Sequence, residues 1–104
     1  MIRKAFKMKL NPGCESEYKR RHDEIWSEMV RELSQAGIHD YTIFLDRETY
    51  TLFAFQELKD NNTAADLPNQ EVVKRWWDYM KDIMETNTDG SPVTINLEEV
   101  FHLD

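Results

Sequence analysis

At Asn11-Pro12 the spacing of apolar residues along this chain changes, and that change constrains the fold more than any other feature. Before it, Ile2, Phe6, Met8 and Leu10 share one parity while Arg3, Lys7 and Lys9 share the other. That period of two is a half-buried strand. After it the apolar spacing becomes three and four, a helix, with Asn11 as cap and Pro12 at the first helical position. The helix is expected to run to about Gln35, with Gly37 as terminator. Ile38–Asp46 reads as a second strand with Tyr41, Ile43 and Leu45 on one face. A polar turn over Asp46–Thr49 then leads into a third strand, Tyr50–Leu58, which closes a hairpin.

Asp60–Pro68 is a polar connector. Asn69 is placed to cap a second helix, whose broad apolar side holds Val72, Val73, Trp76, Trp77, Met80, Ile83 and Met84. Thr86–Pro92, with Asp89-Gly90-Ser91-Pro92 inside it, is the clearest loop signal. Val93, Ile95, Leu97, Phe101 and Leu103 then share one parity, as in a last strand. The resulting order, β-α-β-β-α-β, is a ferredoxin-like α+β fold in one domain over residues 1–104: a four-stranded antiparallel sheet with both helices on one face. Phe44, Phe53 and Phe55 stand on strands whose other parity is also apolar. Both sheet faces therefore need cover, and a second subunit packed sheet to sheet, making a homodimeric α+β barrel, would supply it.

Composition narrows the function. The 104 residues are 40% hydrophobic and 12% aromatic, which excludes a disordered chain. No apolar run approaches the roughly 18 residues that a membrane helix needs, and the basic, h-region-free opening gives no expectation of a signal peptide. Cys14 stands alone, so neither an internal disulfide nor a thiolate metal cluster is expected, and the cytoplasm is the natural compartment. Cys14 itself reads as an incidental helix-start residue. The net charge is −7; residues 1–22 hold seven Lys or Arg against two Glu, net +5, so the rest carries −12. An acidic remainder disfavours nucleic acid, whose binding depends on neutralising phosphates. Glu15, Glu17, Asp23, Glu24 and Glu28 read as the solvated flank of the first helix, and His39 and His102 as surface or structural.

Two constellations carry chemistry. Tyr18, His22 and Trp26 are four apart and stack along one helical face. This puts an imidazole, with a reference pKa of about 6.5, on the inward stripe beside a phenol. The competing reading is a pair of satisfied core polar residues. Trp76 and Trp77 point about 100° apart on a helix, so one of them turns towards a cleft or a partner. An indole face with one N–H donor suits a sugar ring; a helix buried on both flanks is the alternative.

EYKRRHDEIW, the DYTIFLD strand, RWWDYMKDIM and the SPV…LEEVFHL tail, in order from Met1 to Asp104, closely resemble the L-rhamnose mutarotase family. The resemblance implies a cofactorless enzyme that interconverts the α and β anomers of L-rhamnose, built as a ferredoxin-like homodimer. It implies that the proton-donating histidine is His22 and that Tyr18, Tyr41, Trp76 and Trp77 contact the sugar. Two departures stand out: Ser27 occupies a position where the family pattern has proline after Ile25-Trp26, and Asn61–Pro68 lacks an aromatic found in some members. Other small α+β dimers are cofactorless or haem-degrading monooxygenases, and a non-catalytic sugar sensor is a further alternative. The fold alone does not choose among these.

Overall fold

A computed structural model describes residues 1–104 throughout. The elements are β1 (Ile2–Lys9), α1 (Glu15–Asp23), α2 (Ser27–Gln35), β2 (Ile38–Asp46) and β3 (Thr51–Leu58), then a 3-10 helix (Ala64–Asn69), α3 (Glu71–Met80) and β4 (Ile95–Leu97). The strands form one antiparallel sheet in the order β2-β3-β1-β4, which is the ferredoxin-like arrangement. Phe6, Met8, Leu10, Leu52 and Ala54 of the sheet meet Tyr18, Met29, Val73, Trp76 and Met80 of the helices in one core.

The first helix is broken where continuity was expected. Glu24 ends α1 near φ −108°, and Trp26 is extended at φ −61°, ψ 136° before α2 begins at Ser27. This extended conformation is the one a following proline enforces, and the first helical position is where proline is favoured. Ser27 keeps the bend but hides its sequence signal. Asn11 does not cap α1 either. Asn11–Cys14 forms a turn closed by a bond from the Cys14 N–H to the Asn11 carbonyl (3.2 Å). Pro12 sits at its second position and Gly13 at its third, with φ +84°, the requirement of a type II turn.

The second helix is shorter than its apolar pattern. Asn69 ends the 3-10 helix, Gln70 precedes α3, and α3 stops at Met80. Beyond it the Asn11 N–H bonds to the Ile83 carbonyl (2.8 Å) and the Glu85 N–H to the Lys9 carbonyl (3.0 Å). Ile83 and Met84 thus join the core from a segment paired with the end of β1 rather than from the helix itself. Tyr50 belongs to the hairpin turn, at φ +57°, and β3 starts one residue later.

In β2, Ile38 pairs with Leu58 and Ile43 with Ala54. Five steps on one strand therefore match four on the other, with the irregularity between His39 and Thr42 and Asp40 at φ +46°. This bulge swaps parity, so that even-numbered Ile38 and odd-numbered Tyr41, Ile43 and Leu45 all serve the helix-covered face.

The opposite face is open. Thr42, Phe55, Ala5 and Leu97 lie in one row across the sheet, and Phe44, Phe53, Lys7 and Ile95 in the next. Phe44 and Phe55 pack edge to face at 5.9 Å yet remain 60% and 43% exposed. The last strand is only three residues long. Phe101 and Leu103, expected to continue it, lie outside the sheet and are largely exposed, and Val93 precedes it.

Candidate functional site

A cleft of about 1160 Å³ opens between the helices and the sheet, and Tyr18, His22, Tyr41, Trp76 and Trp77 all line it. Its other walls come from β1, β3, α2 and the 3-10 helix, and from Asn87, Asp89 and Ser91 of the loop after α3. The space accepts a monosaccharide with room to spare.

Within α1 the four-residue spacing stacks the His22 imidazole on the Tyr18 ring, centroids 4.3 Å apart. The rings of Trp76 and His22 meet edge to face at 5.4 Å and 88°. His22 Nδ1 lies 3.1 Å from the Tyr18 carbonyl oxygen. A carbonyl only accepts, so Nδ1 carries the proton and donates it, and Nε2 holds the free lone pair of the neutral ring. Burial pushes the His22 pKa below its ordinary value, against the Tyr18 carbonyl and Asp23, which both favour the charged ring. Neutral imidazole is accordingly the resting form at neutral pH.

Tyr18 is buried, and loss of solvent raises its pKa, with Tyr41 adding to the rise. Tyr41 is placed by the bulge in β2 and meets Phe6 edge-on at 6.5 Å. Although 38% of Tyr41 is exposed, desolvation of its phenol pushes the pKa up to about 12, with Gln56 opposing the rise. Both phenols are therefore hydrogen-bond donors, not bases, at neutral pH.

Both tryptophans reach the cleft. Trp76 is the more buried, held by Trp26 at 5.0 Å and Tyr79 at 5.6 Å, while Trp77 is half-buried against the core. Trp26, at the break between α1 and α2, also stacks on Tyr79 at 5.6 Å. The five residues read from the sequence thus converge on one cavity.

Four supporting residues were not read from the sequence as part of the site. Arg21 is buried and bonded to Glu17, to both oxygens of Asp82 and to the Tyr79 carbonyl. It clamps α1, and His22 with it, to the end of α3. Glu17 is accordingly no idle solvated flank; Arg20 and Arg21 hold its carboxyl down to about 2. Glu15 also turns inward to the cleft rim, facing Arg47 at 3.6 Å. Gln56 is buried on the inner face of β3. Its signal was available: it is the polar member of the inward series Leu52, Ala54, Gln56, Leu58.

Comparison with known proteins identifies the family and the fold. A family model described as L-rhamnose mutarotase matches residues 3–103. The L-rhamnose mutarotases of Formosa agariphila and Bacteroides thetaiotaomicron are 53% and 55% identical over 104 residues, covering all of this chain and all of each relative. That of Rhizobium johnstonii is 58% identical over 99 residues, 95% of this chain and 93% of the relative. The crystal structure of an L-rhamnose mutarotase from Formosa agariphila superposes with a TM-score of 0.93 at 51% identity, covering both chains fully. With a matching model over nearly its whole length, relatives above half identity and the same fold, this chain belongs to the L-rhamnose mutarotase family.

Proposed function

We propose that this protein is an L-rhamnose mutarotase, an isomerase that opens the pyranose to the free aldehyde and recloses it on the other face of C1. The observation that supports the mechanism is that His22 lines a cavity of monosaccharide size with Nδ1 tied to the Tyr18 carbonyl, which leaves Nε2 as the nitrogen available to a substrate. The exocyclic hydroxyl and the ring oxygen are both bonded to C1, so one nitrogen beside C1 serves both in turn. Neutral His22 takes the proton of the C1 hydroxyl through Nε2. As the carbonyl forms and the C1–O5 bond breaks, the imidazolium returns that proton to O5. Closure runs the same steps backwards on the other face. General acid–base assistance of this kind contributes roughly 10²–10⁴-fold.

Tyr18 and Tyr41 donate hydrogen bonds to sugar oxygens, and the Trp76 and Trp77 faces hold the ring in register with Nε2. The reaction so written uses no cofactor and no covalent intermediate. The working form is a homodimer joined through the open sheet face, for which the exposed Phe44, Phe55 and Ile95 are the support. A lone cysteine favours the cytoplasm as its compartment.

Saturation-transfer NMR on the two anomeric protons of L-rhamnose tests the activity at equilibrium. Catalytic amounts of protein should carry saturation from one anomer to the other, yield no third species, and do so equally well after EDTA treatment. Exchange no faster than in buffer, for L-rhamnose and for other common pyranoses, would refute the reading.

A further inference from the structure

Across the inner face of the sheet, beneath the helices, one row breaks the apolar pattern. Ile2, Leu58 and Ile38 make up the row on one side of it, and Phe6, Ala54 and Ile43 the row on the other. Between them Lys4 of β1 stands directly opposite Gln56 of β3. On its other side Gln56 faces the stretch of β2 between His39 and Thr42, where the extra residue of the bulge delivers Tyr41. Lys4, Gln56 and Tyr41 all line the cleft, so this polar row crosses its floor opposite the helical wall that carries His22.

Gln56 is only 9% exposed. A primary amide offers two donor hydrogens and a carbonyl with two lone pairs, and a buried one costs stability unless these are matched. Its polar neighbour across the bulge is Tyr41, which lines the same cleft. The amide makes no hydrogen bond to another side chain or to the backbone, so its donors and its carbonyl are left over. No fully enclosed side-chain nitrogen or oxygen in the protein lacks a partner, so the remaining amide capacity of Gln56 opens onto the cleft. An apolar residue would fill this place in a purely structural sheet, as Leu52, Ala54 and Leu58 do on the same face of β3. A donor and an acceptor side by side are the complement of a sugar hydroxyl, which both gives and takes a hydrogen bond.

We propose that Gln56 is a specificity-determining residue that reads one non-anomeric hydroxyl of the pyranose, from a place in the sheet between Lys4 and the bulge that carries Tyr41. The inference deepens the mutarotase reading and rests on it for the identity of the sugar. Sites built to hydrogen-bond a substrate hydroxyl discriminate strongly against analogues that lack it, because the site's polar group is then left unmatched.

The test is a cycle between one variant and a set of analogues. Wild type and Gln56→Met, which keeps length and volume while removing the amide, are compared on L-rhamnose and on its 2-, 3- and 4-deoxy analogues. Anomer exchange gives kcat/KM, and titration of tryptophan emission gives dissociation constants. Gln56→Met should lower kcat/KM for L-rhamnose about tenfold, the scale of one buried hydrogen bond. It should leave unchanged the value for the single deoxy sugar that lacks the hydroxyl in question, while the other two analogues fall as L-rhamnose does. Gln56→Glu, which retains an acceptor at the same reach, should recover part of the loss. A structural role alone predicts a uniform change across all four sugars, and that result would overturn the proposal. Run on dissociation constants, the same cycle decides the role of Gln56 even in a protein that bound the sugars without turning them over, so its failure is separable from failure of the mutarotase reading.

Discussion

Removing the Arg21 side chain separates the forces that hold His22 in place. The guanidinium is 9% exposed and makes four bonds: 2.7 Å to Glu17, 2.8 and 3.2 Å to Asp82, and 2.7 Å to the Tyr79 carbonyl. It also lies 4.5 Å from the Tyr79 ring centroid. Breaking a fully buried ion pair costs about 3–5 kcal/mol, because the abandoned charge stays dry. Here the carboxylates of Glu17 and Asp82 are 38% and 64% exposed, so both regain water when Arg21 is gone and most of that penalty does not arise. What is lost is the charge-assisted bond to the Tyr79 carbonyl, about 1.5–3 kcal/mol before rehydration, together with packing of the stem and guanidinium on Tyr79, about 0.5–1 kcal/mol. Arg21→Ala should therefore cost about 2 kcal/mol. At roughly 4–8 °C per kcal/mol for a domain of this size, thermal unfolding at fixed protein concentration should fall by about 10 °C. Arg21→Met, which keeps much of the apolar stem, should recover about half. The exchange rate per folded molecule should also drop in Arg21→Ala, since α1 loses its tie to α3 and His22 its fixed approach to Trp76. An Arg21→Ala protein melting within about 2 °C of wild type would show that the clamp contributes nothing.

His22→Ala should reduce anomer exchange by roughly 10²–10⁴-fold while circular dichroism still reports cooperative unfolding; full activity in the folded variant ends its role as proton carrier. The pH dependence follows from the direction of its shift. The unfolded imidazole titrates near 6.5 and the folded one below that, so neutral His22 dominates at pH 7 and both activity and stability decline as pH falls from about 6.5 through the folded pKa. An exchange rate that rises in that window, in protein still folded, would contradict catalysis by the neutral ring. L-Rhamnose should change tryptophan emission saturably, and Trp77→Phe should weaken the change; an emission spectrum indifferent to high rhamnose removes the stacking role. Wild type should sediment at about twice the chain mass of 12.4 kDa, and a Phe44→Glu, Phe55→Glu double variant should shift towards the monomer. A wild-type species of 12.4 kDa alone at micromolar concentration would refute sheet-to-sheet pairing.

How far the sequence disclosed this molecule depends on which forces fix each part. The strands of the hairpin were legible because one face must be buried, and burial writes a period of two. The parity change between Ile38 and Ile43 even records the bulge, in a place where only strand pairing reveals what it does. Spacing singled out Tyr18, His22, Trp76 and Trp77 but left core packing open for them, and the family resemblance turned the reading to a site and added Tyr41. The errors lie where backbone groups from distant segments compete with local pattern. Ile83 and Met84 continue the apolar stripe of α3, yet their backbone bonds to the end of β1, a choice invisible within the local sequence. Phe101 and Leu103 keep strand parity without a neighbouring strand to pair with.

The break at Glu24–Trp26 connects this to catalysis. In an unbroken helix Trp26 would continue the stack of Tyr18 and His22 at one turn further along the same face. The turn to extended backbone at Trp26 instead sends its ring onto Trp76 and Tyr79. Trp76, so braced, presents its plane at 88° to His22. An apolar ring against the imidazole helps to strip solvent from it, and desolvation is the first cause of its lowered pKa. The same packing therefore positions the ring and keeps it neutral at the pH where a proton carrier beside C1 must first accept. A chain bend with no glycine and no proline thus sets the protonation state on which the proposed chemistry depends.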